Sequence, residues 1–269
     1  MISLGDKKLV KELNGHSGCA VCLMENKVNK SFVRKISSSV EYNDRLYRQM
    51  KKQQKFKSDI LKSPPVLGDG IIEDKFYFDM EYIQGSSFDD FVQKGSVSNV
   101  KKSFNTILRF IEANNDLGEG IKEDMKTKVK NLQLGRKYNY YKDYCLDFDW
   151  EKINKSYCHG DLTFENFIVS GNEIFLIDFL DSFVDTKIMD YAKIFQELYC
   201  FWSRRHLGRD FNIKYIILDQ MIDLHEFEKQ AALKMLVLNL LRILPYSDES
   251  TIQFIEYQLK NIVEKINGE

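Results

Sequence analysis

The stretch from Tyr157 to Asp185, YCHGDLTFENFIVSGNEIFLIDFLDSFVD, constrains this chain more than any other. Two short apolar runs, Phe167-Ile168-Val169 and Ile174-Phe175-Leu176-Ile177, flank the pair Gly171-Asn172. β-formers on either side of a tight pair that tolerates positive φ predict a β-hairpin. Antiparallel pairing would set Asn166 at the entrance of one strand and Asp178 at the exit of the other, bringing the two together. An amide oxygen and a carboxylate beside a loop aspartate, Asp161, make a site for a hard cation such as Mg2+. That ion prefers oxygen ligands and brings phosphate with it.

The same residues carry a resemblance. His159-x-Asp161, then Asn166, an apolar hairpin and Ile177-Asp178-Phe179 resemble the catalytic segment of the kinase superfamily. The wording HGDLTFEN, with IDF in place of DFG, is similar to the aminoglycoside phosphotransferase and choline/ethanolamine kinase branch. A lone His-Gly-Asp would mean little; its spacing to Asn166, the hairpin and IDF make the motif specific. The competing reading is that Asp161 and Asp178 only cap turns, and the combined motif outweighs it.

Composition excludes some classes and leaves this one open. A length of 269 residues fits one or two domains, and 43% hydrophobic with 29% charged residues is ordinary for a soluble globular chain. A net charge of −1 gives no support for nucleic-acid or membrane binding through bulk electrostatics. The start, MISLGDKKLVKEL, lacks the basic-then-apolar pattern of a signal peptide, and no apolar run is long enough to span a bilayer. Five scattered cysteines fit a reducing compartment, so the expected location is cytoplasmic. Cys19 and Cys22 form a C-x-x-C, but in a strand positions i and i+3 face opposite sides, so both read as core.

Lys7 to Ser37 predicts three strands, at Leu9–Leu13, Cys19–Met24 and Phe32–Ile36. The first connection, Asn14 to Gly18, has two glycines and a serine, which let backbone N–H groups approach an anion. A hairpin turn wants the same residues. In the kinase-like reading, this loop, with Ser17 and Gly18, lies over the ATP phosphates. The resemblance also implies that Lys35, in Val33-Arg34-Lys35, neutralises ATP phosphates; strand alternation turns Arg34 the other way. A helix over Tyr42 to Lys57 buries Tyr42, Leu46 and Met50. It departs from the family by having no mid-helix Glu to pair with Lys35, so Gln49 or Gln53 is expected to support the lysine. Pro64-Pro65 ends the helical region. Strands at Val66–Leu67 and Phe76–Tyr82 are expected around a turn at Gly68-Asp69-Gly70. Met80 to Gly85 resembles the family's hinge, whose backbone at Glu81, Tyr82 and Ile83 would bind the adenine edge.

From Ser87 the chain reads as helical. Val100, Phe104, Ile107, Leu108 and Ile111 give one buried helix face. A helix is expected over Ile121 to Gly135, and Arg136 to Lys142 reads as a solvated basic-aromatic surface. Soon after IDF a helix opens, over Lys187–Cys200. It leaves no room for a protein-kinase activation segment, which argues against a protein substrate. Asp190 matches the family's aspartate that braces the catalytic loop; as a helix N-terminal acid it would also suit the dipole. Trp202, Arg204, Arg205 and His206 combine an aromatic with cations that would suit an anionic or polyhydroxylated acceptor, or simply end a solvated helix. Two apolar stripes, Leu233 to Leu244 and Ile252 to Ile266, read as core helices.

The expected fold is a two-lobed, protein-kinase-like α+β domain. A small β-rich lobe over residues 1–84 precedes a larger, mainly helical lobe over residues 85–269, with ATP between them. The resemblance implies transfer of the ATP γ-phosphate to a hydroxyl of a small-molecule acceptor. Asp161 would act on the hydroxyl proton, and Asn166 and Asp178 would hold Mg2+. Acceptors in related families are aminoglycosides, choline, ethanolamine and sugars; a sugar or amino alcohol is expected ahead of an aminoglycoside. The alternative is a pseudokinase-like binding module. The helix without its Glu favours it, and the intact Asp161, Asn166 and Asp178 oppose it.

Overall fold

The computed structural model describes residues 8–13, 18–114, 116–206 and 212–267. The chain divides into two compact units, one of Met1–Ser86 with Phe167–Asp181, the other of Ser87–Asn166 with Ser182–Glu269.

The first unit is built on β1 (Lys8–Leu13), β2 (Ala20–Glu25), β3 (Ser31–Ile36), β4 (Val66–Ile72) and β5 (Lys75–Glu81), with α1 (Asn43–Lys55) between β3 and β4. The strands form one antiparallel sheet in the order β1-β2-β3-β5-β4. Strand alternation sorts the side chains of β3. On the α1 face Val33 joins Cys19, Leu46, Met50, Phe76, Phe78 and Met80 in one core. On the other face Phe32 packs with Cys22 and Met24. The two cysteines of the C-x-x-C thus fall into separate cores, and both are free thiols. Arg34, on the Phe32 face, meets its cross-strand neighbour Asp79 through two hydrogen bonds of 2.6 and 2.8 Å, with Tyr77's ring 4.0 Å from the guanidinium. A buried pair of this kind adds little net stability but penalises any other strand register, where one charge would be left alone.

The turn between β4 and β5 is not where the glycines stand. β4 runs through Gly68-Asp69-Gly70 to Ile72, and the chain reverses at Glu73-Asp74, with φ of 50° and 62°. Two successive positive φ values are what a two-residue hairpin loop requires. Gly70 serves a different need: a Cβ there would come within 2.9 Å of the Tyr77 hydroxyl across the ladder.

The expected second hairpin forms. Phe167–Ser170 pairs with Glu173–Leu176, Phe167 opposite Leu176, around Gly171 at φ 60°. It is stitched to the first unit by Lys62, whose N–H donates to Ile174 O (3.0 Å) and whose carbonyl accepts from Leu176 N (2.8 Å). A Cβ on Gly85 would lie 2.4 Å from Val169 O, so that residue must be glycine for close backbone approach.

The second unit is mainly helical: α2 (Phe88–Lys94), α3 (Val97–Glu112), α4 (Lys122–Lys130), α5 (Asn139–Leu146), α6 (Lys187–Cys200), α7 (Ile213–Asp219), α8 (Glu226–Ile243) and α9 (Glu249–Asn267). The α3 face read from sequence is buried as expected. The helix expected from Ile121 is shorter, and a strand pair not foreseen, Asp116–Gly120 with Asn154–Ser156, precedes and follows α4 and α5. The Arg136–Lys142 patch is partly engaged within the fold: the Tyr138 hydroxyl and the Lys137 ammonium both reach Glu256 on α9, at 2.6 Å each. α6 and α8 are buried on almost every side. Among the described residues no helix is long and apolar enough to cross a membrane.

The two glycines give a contrast to test. Gly85→Ala should lower stability by about 1–3 kcal/mol, the usual range for forced overpacking, because a backbone carbonyl cannot retreat. Gly70→Ala should cost less, since it meets the free end of a tyrosine. Urea unfolding midpoints of the two variants check this; equal costs would refute the close-approach account.

Candidate active site

In the first unit, two of the expected residues come together. Lys35 is buried at 3% exposure on β3, and its ammonium is ion-paired with Asp178, two residues beyond the hairpin. Burial pushes the Lys35 pKa down, but the charge and hydrogen bond of Asp178 outweigh it, so the group sits above its ordinary value and stays charged. Asp178 has φ 63°, in the left-handed region, which Asp tolerates better than most residues.

Neither glutamine supports Lys35 as expected. Gln53 donates to Pro64 O (2.8 Å), and Gln49 donates to the Tyr42 hydroxyl (3.4 Å). The lysine's counter-charge comes from Asp178, which removes the need for an acid on α1. Instead α1 carries cations that grip the segment following Asp178. Arg48 pairs with Asp181 (2.7 Å), Lys52 donates to Leu180 O (3.1 Å), and Phe56 packs on Phe179 with ring centroids 5.2 Å apart.

In the second unit, the loop from Cys158 to Asn166 lies along a single polar stripe of α6. Asp190, Lys193 and Glu197 follow the i, i+3, i+7 spacing of one helix face. Asp190 accepts from His159 N (2.8 Å) and Gly160 N (2.9 Å). Gly160 has φ 91°, a conformation that a side chain would resist. Lys193 reaches the Asp161 side chain at 3.0 Å. Glu197 accepts from Phe164 N (3.2 Å), and from Ser203 N (3.0 Å) and the Ser203 hydroxyl (2.7 Å). All three stripe residues are buried, so each would be costly without its partner.

Asp161 is the focus of this arrangement. Removal from water pushes its carboxyl pKa up, but Lys193 first, then His159 and Asn166, overcome that, and the group lies below the ordinary carboxylate range. It is therefore a carboxylate, and its side chain is 33% exposed and so accessible to a ligand. His159 is fully buried and its Nδ1 accepts from Asp161 N (3.3 Å), which suits a brace of the loop rather than a base. Asn166 donates from Nδ2 to Asp161 O (2.7 Å) and Asp161 Oδ2 (3.1 Å). Both acceptors lack protons, so Nδ2, and not Oδ1, is the amide atom turned to Asp161.

The remaining expected residues fall as follows. Ser17 lies outside the described residues. Gly18 is at φ 73°, at the foot of β2. Glu81 ends β5 with its N–H on Pro65 O (3.0 Å), and Tyr82 and Ile83 follow outside the ladder. Arg204 is not available as an acceptor ligand in the way expected. Its guanidinium bonds Asp89 (3.2 Å), which also accepts from Tyr215 (2.9 Å) in a largely buried network. Arg205 stacks over Trp202 at 4.3 Å.

The residue types suit Mg2+. Among the described residues no three His, Cys, Asp or Glu side chains cluster to hold a metal. Asp178 offers a carboxylate in the first unit and Asn166 an amide oxygen in the second, and both are the hard oxygen donors that this ion takes. Lys193 and Glu197 were missed in the sequence. Their signal was a charged i, i+3, i+7 row inside a helix whose other residues are mostly apolar, among them Ile188, Met189, Ala192, Ile194, Phe195 and Leu198.

No protein-family model and no curated protein matches the sequence. Solved structures do resemble the fold over nearly the whole chain. An aminoglycoside phosphotransferase of the 2″ type, in complex with GDP and kanamycin, has a TM-score of 0.65 at 14% identity, covering 96% of this chain and 94% of its own. The choline kinase LicA from Streptococcus pneumoniae has a TM-score of 0.63 at 15% identity, covering 96% and 93%. A Haemophilus somnus protein described as a fructosamine-3-kinase has a TM-score of 0.56 at 16% identity, covering 95% and 92%. The chain therefore has the protein-kinase-like fold, with a β-rich N-terminal part and a helical C-terminal part.

Burial raises the Glu197 pKa from 4.5 to about 8, against the pull of the Ser203 and Phe164 donors. Between those two values the folded chain binds a proton that the unfolded chain does not, so stability must fall as pH rises through that window. Glu197→Gln should flatten this fall. Melting temperatures of both proteins from pH 5 to 8 decide it; parallel curves would show that Glu197 does not titrate there.

Proposed function

We propose that this chain is an ATP- and Mg2+-dependent phosphotransferase that moves the γ-phosphoryl group of ATP to a hydroxyl of a small molecule. The observation that carries the reading is Asp161: a carboxylate kept ionised, accessible, and fixed by Lys193 and Asn166 on a loop braced by Asp190. Such a group can orient an acceptor hydroxyl and take its proton. The acceptor oxygen bonds to the γ-phosphorus as the bond from phosphorus to the β,γ-bridging oxygen breaks. That electron pair leaves on ADP. The acceptor proton passes to Asp161 and then to water.

The other roles follow the chemistry of each residue. Lys35 supplies a buried, permanently charged ammonium for ATP phosphates, released in part from Asp178 as phosphate oxygens arrive. Backbone groups of Ser17 and Gly18 cover the phosphates, and those of Glu81, Tyr82 and Ile83 take the adenine edge. Asn166 Oδ1 and Asp178 would hold Mg2+, which supplies charge neutralisation for the transferring group. Residues 1–84 are assigned to nucleotide covering and residues 85–269 to the catalytic loop and acceptor. The acceptor is a sugar or an amino alcohol in a cytoplasmic setting. Kanamycin and choline, bound or used by proteins of the same fold, both carry hydroxyl groups. The Trp202–Arg205 stack and His206 are the acceptor-side candidates that remain once Arg204 is assigned to Asp89. A binding module without catalysis is less well supported, because Lys35 keeps a carboxylate partner despite the missing α1 acid.

Four variants separate the roles. Asp161→Asn should cut kcat by about 10²-fold or more while Mg·ATP still binds. Asp178→Ala should instead abolish most Mg·ATP affinity, and Asn166→Ala should fall between, since water can partly replace an amide ligand. Lys35→Met should raise the ATP requirement by about tenfold or more, the loss of a charge-assisted phosphate contact. Calorimetric titration with Mg·ATP, run beside turnover on a panel of sugars, amino alcohols and aminoglycosides, reads all four. Wild-type turnover rates in every variant would sink the phosphotransferase reading. Nucleotide binding lost in Asp161→Asn but kept in Asp178→Ala would reverse the roles.

A further inference from the structure

Lys193 has more hydrogen-bonding capacity than its surroundings use. It lies in the middle of α6, its residue is 7% exposed, and Nζ stands 3.0 Å from Asp161 Oδ1. An ammonium has three N–H donors and no acceptor. Among the described residues Asp161 is the partner that Lys193 has, so donors remain on a cation that is nine-tenths buried. A buried ammonium with donors to spare is costly unless a ligand completes it. The neighbouring stripe residues differ in this respect: Glu197 accepts from three donors, and Asp190 has both its oxygens bonded.

The bond to Asp161 fixes what that ligand is. On the proposed reaction, which this inference rests on, the acceptor hydroxyl sits at Asp161, and its oxygen is about 3–3.5 Å from the phosphorus it attacks. An ammonium bonded to the same carboxylate is therefore within reach of that phosphoryl group. We infer that Lys193 is a catalytic residue whose spare N–H donors bind an oxygen of the γ-phosphoryl group, bridging it to Asp161. Bond making and breaking stay as written above; the acceptor proton still goes to Asp161. Lys193 keeps its own protons and meets charge that gathers on the phosphoryl oxygens.

The test compares ATP with ADP, which differ by the group Lys193 would touch. Mg·ATP and Mg·ADP affinities are measured by calorimetry for wild type, Lys193→Met and Lys193→Arg, with turnover alongside. Removing Lys193 alone leaves a partly buried Asp161 without its cation, so the same comparison is made for Lys193→Met in an Asp161→Asn background, against Asp161→Asn alone. Lys193→Met should weaken Mg·ATP about tenfold or more, as loss of a hydrogen bond between charged groups does, and leave Mg·ADP within about twofold. It should do so in both backgrounds, and Lys193→Arg should recover part of the ATP preference and of kcat. An ATP-to-ADP affinity ratio that survives Lys193→Met overturns the inference, and if the acceptor KM rises instead, the ammonium serves an anionic group of the acceptor. Equal weakening of both nucleotides also overturns it, as a packing effect. A wild type that binds neither nucleotide removes the phosphotransferase reading and this contact with it.

Discussion

The loop from Cys158 to Asn166 depends on ionisable groups buried in one helix. Along α6, Asp190, Lys193 and Glu197 span about 10 Å and meet the loop at His159 and Gly160, at Asp161, and at Phe164 in turn. Such groups are expensive to bury, and each is stable only where its partner stands. The cost becomes positional information: moving the loop by one residue would leave an acid or an ammonium alone in the core. That is why the loop can hold Gly160 at a positive φ and keep Asp161 as a carboxylate while part of its side chain faces out.

A second consequence concerns where charge is kept. The kinase-like pattern in the sequence calls for an acid on the first helix to hold the strand lysine. Here that helix presents Arg48 and Lys52, and they hold the segment after Asp178. Asp178 in turn holds Lys35. The chain of contacts runs α1, Leu180–Asp181, Asp178, Lys35, with the acid moved from the helix to the loop. A missing glutamate therefore relocates the pairing and leaves the lysine buried and charged.

Much of this was legible in the sequence because it rests on local rules. The Phe167–Leu176 hairpin follows from β-formers around Gly171, the α3 face from its periodicity, and the split of Cys19 and Cys22 from strand alternation. What was missed depends on tertiary partners. Gly68 and Gly70 read as a turn, yet the chain reverses at Glu73-Asp74; one glycine is there because Tyr77 crosses it. Gln49 and Gln53 were plausible partners for Lys35 by position, and only the placed Asp178 shows why they are not used. Arg204 read as a free cation until Asp89, more than a hundred residues earlier, was seen to bind it. Lys193 and Glu197 were visible as a row of charges in a buried helix, but a row has no meaning until the loop lies along it.

The central claim is that a phosphoryl group passes from ATP to a carbon-borne hydroxyl. The most direct measurement is phosphorus NMR of the wild-type protein with Mg·ATP and each member of a hydroxyl-bearing acceptor panel. The account predicts, for at least one acceptor, a new phosphomonoester resonance split by coupling to the carbon-bound proton beside the ester oxygen, growing in step with ADP. ATP that stays intact with every acceptor, or that yields inorganic phosphate alone, would contradict it.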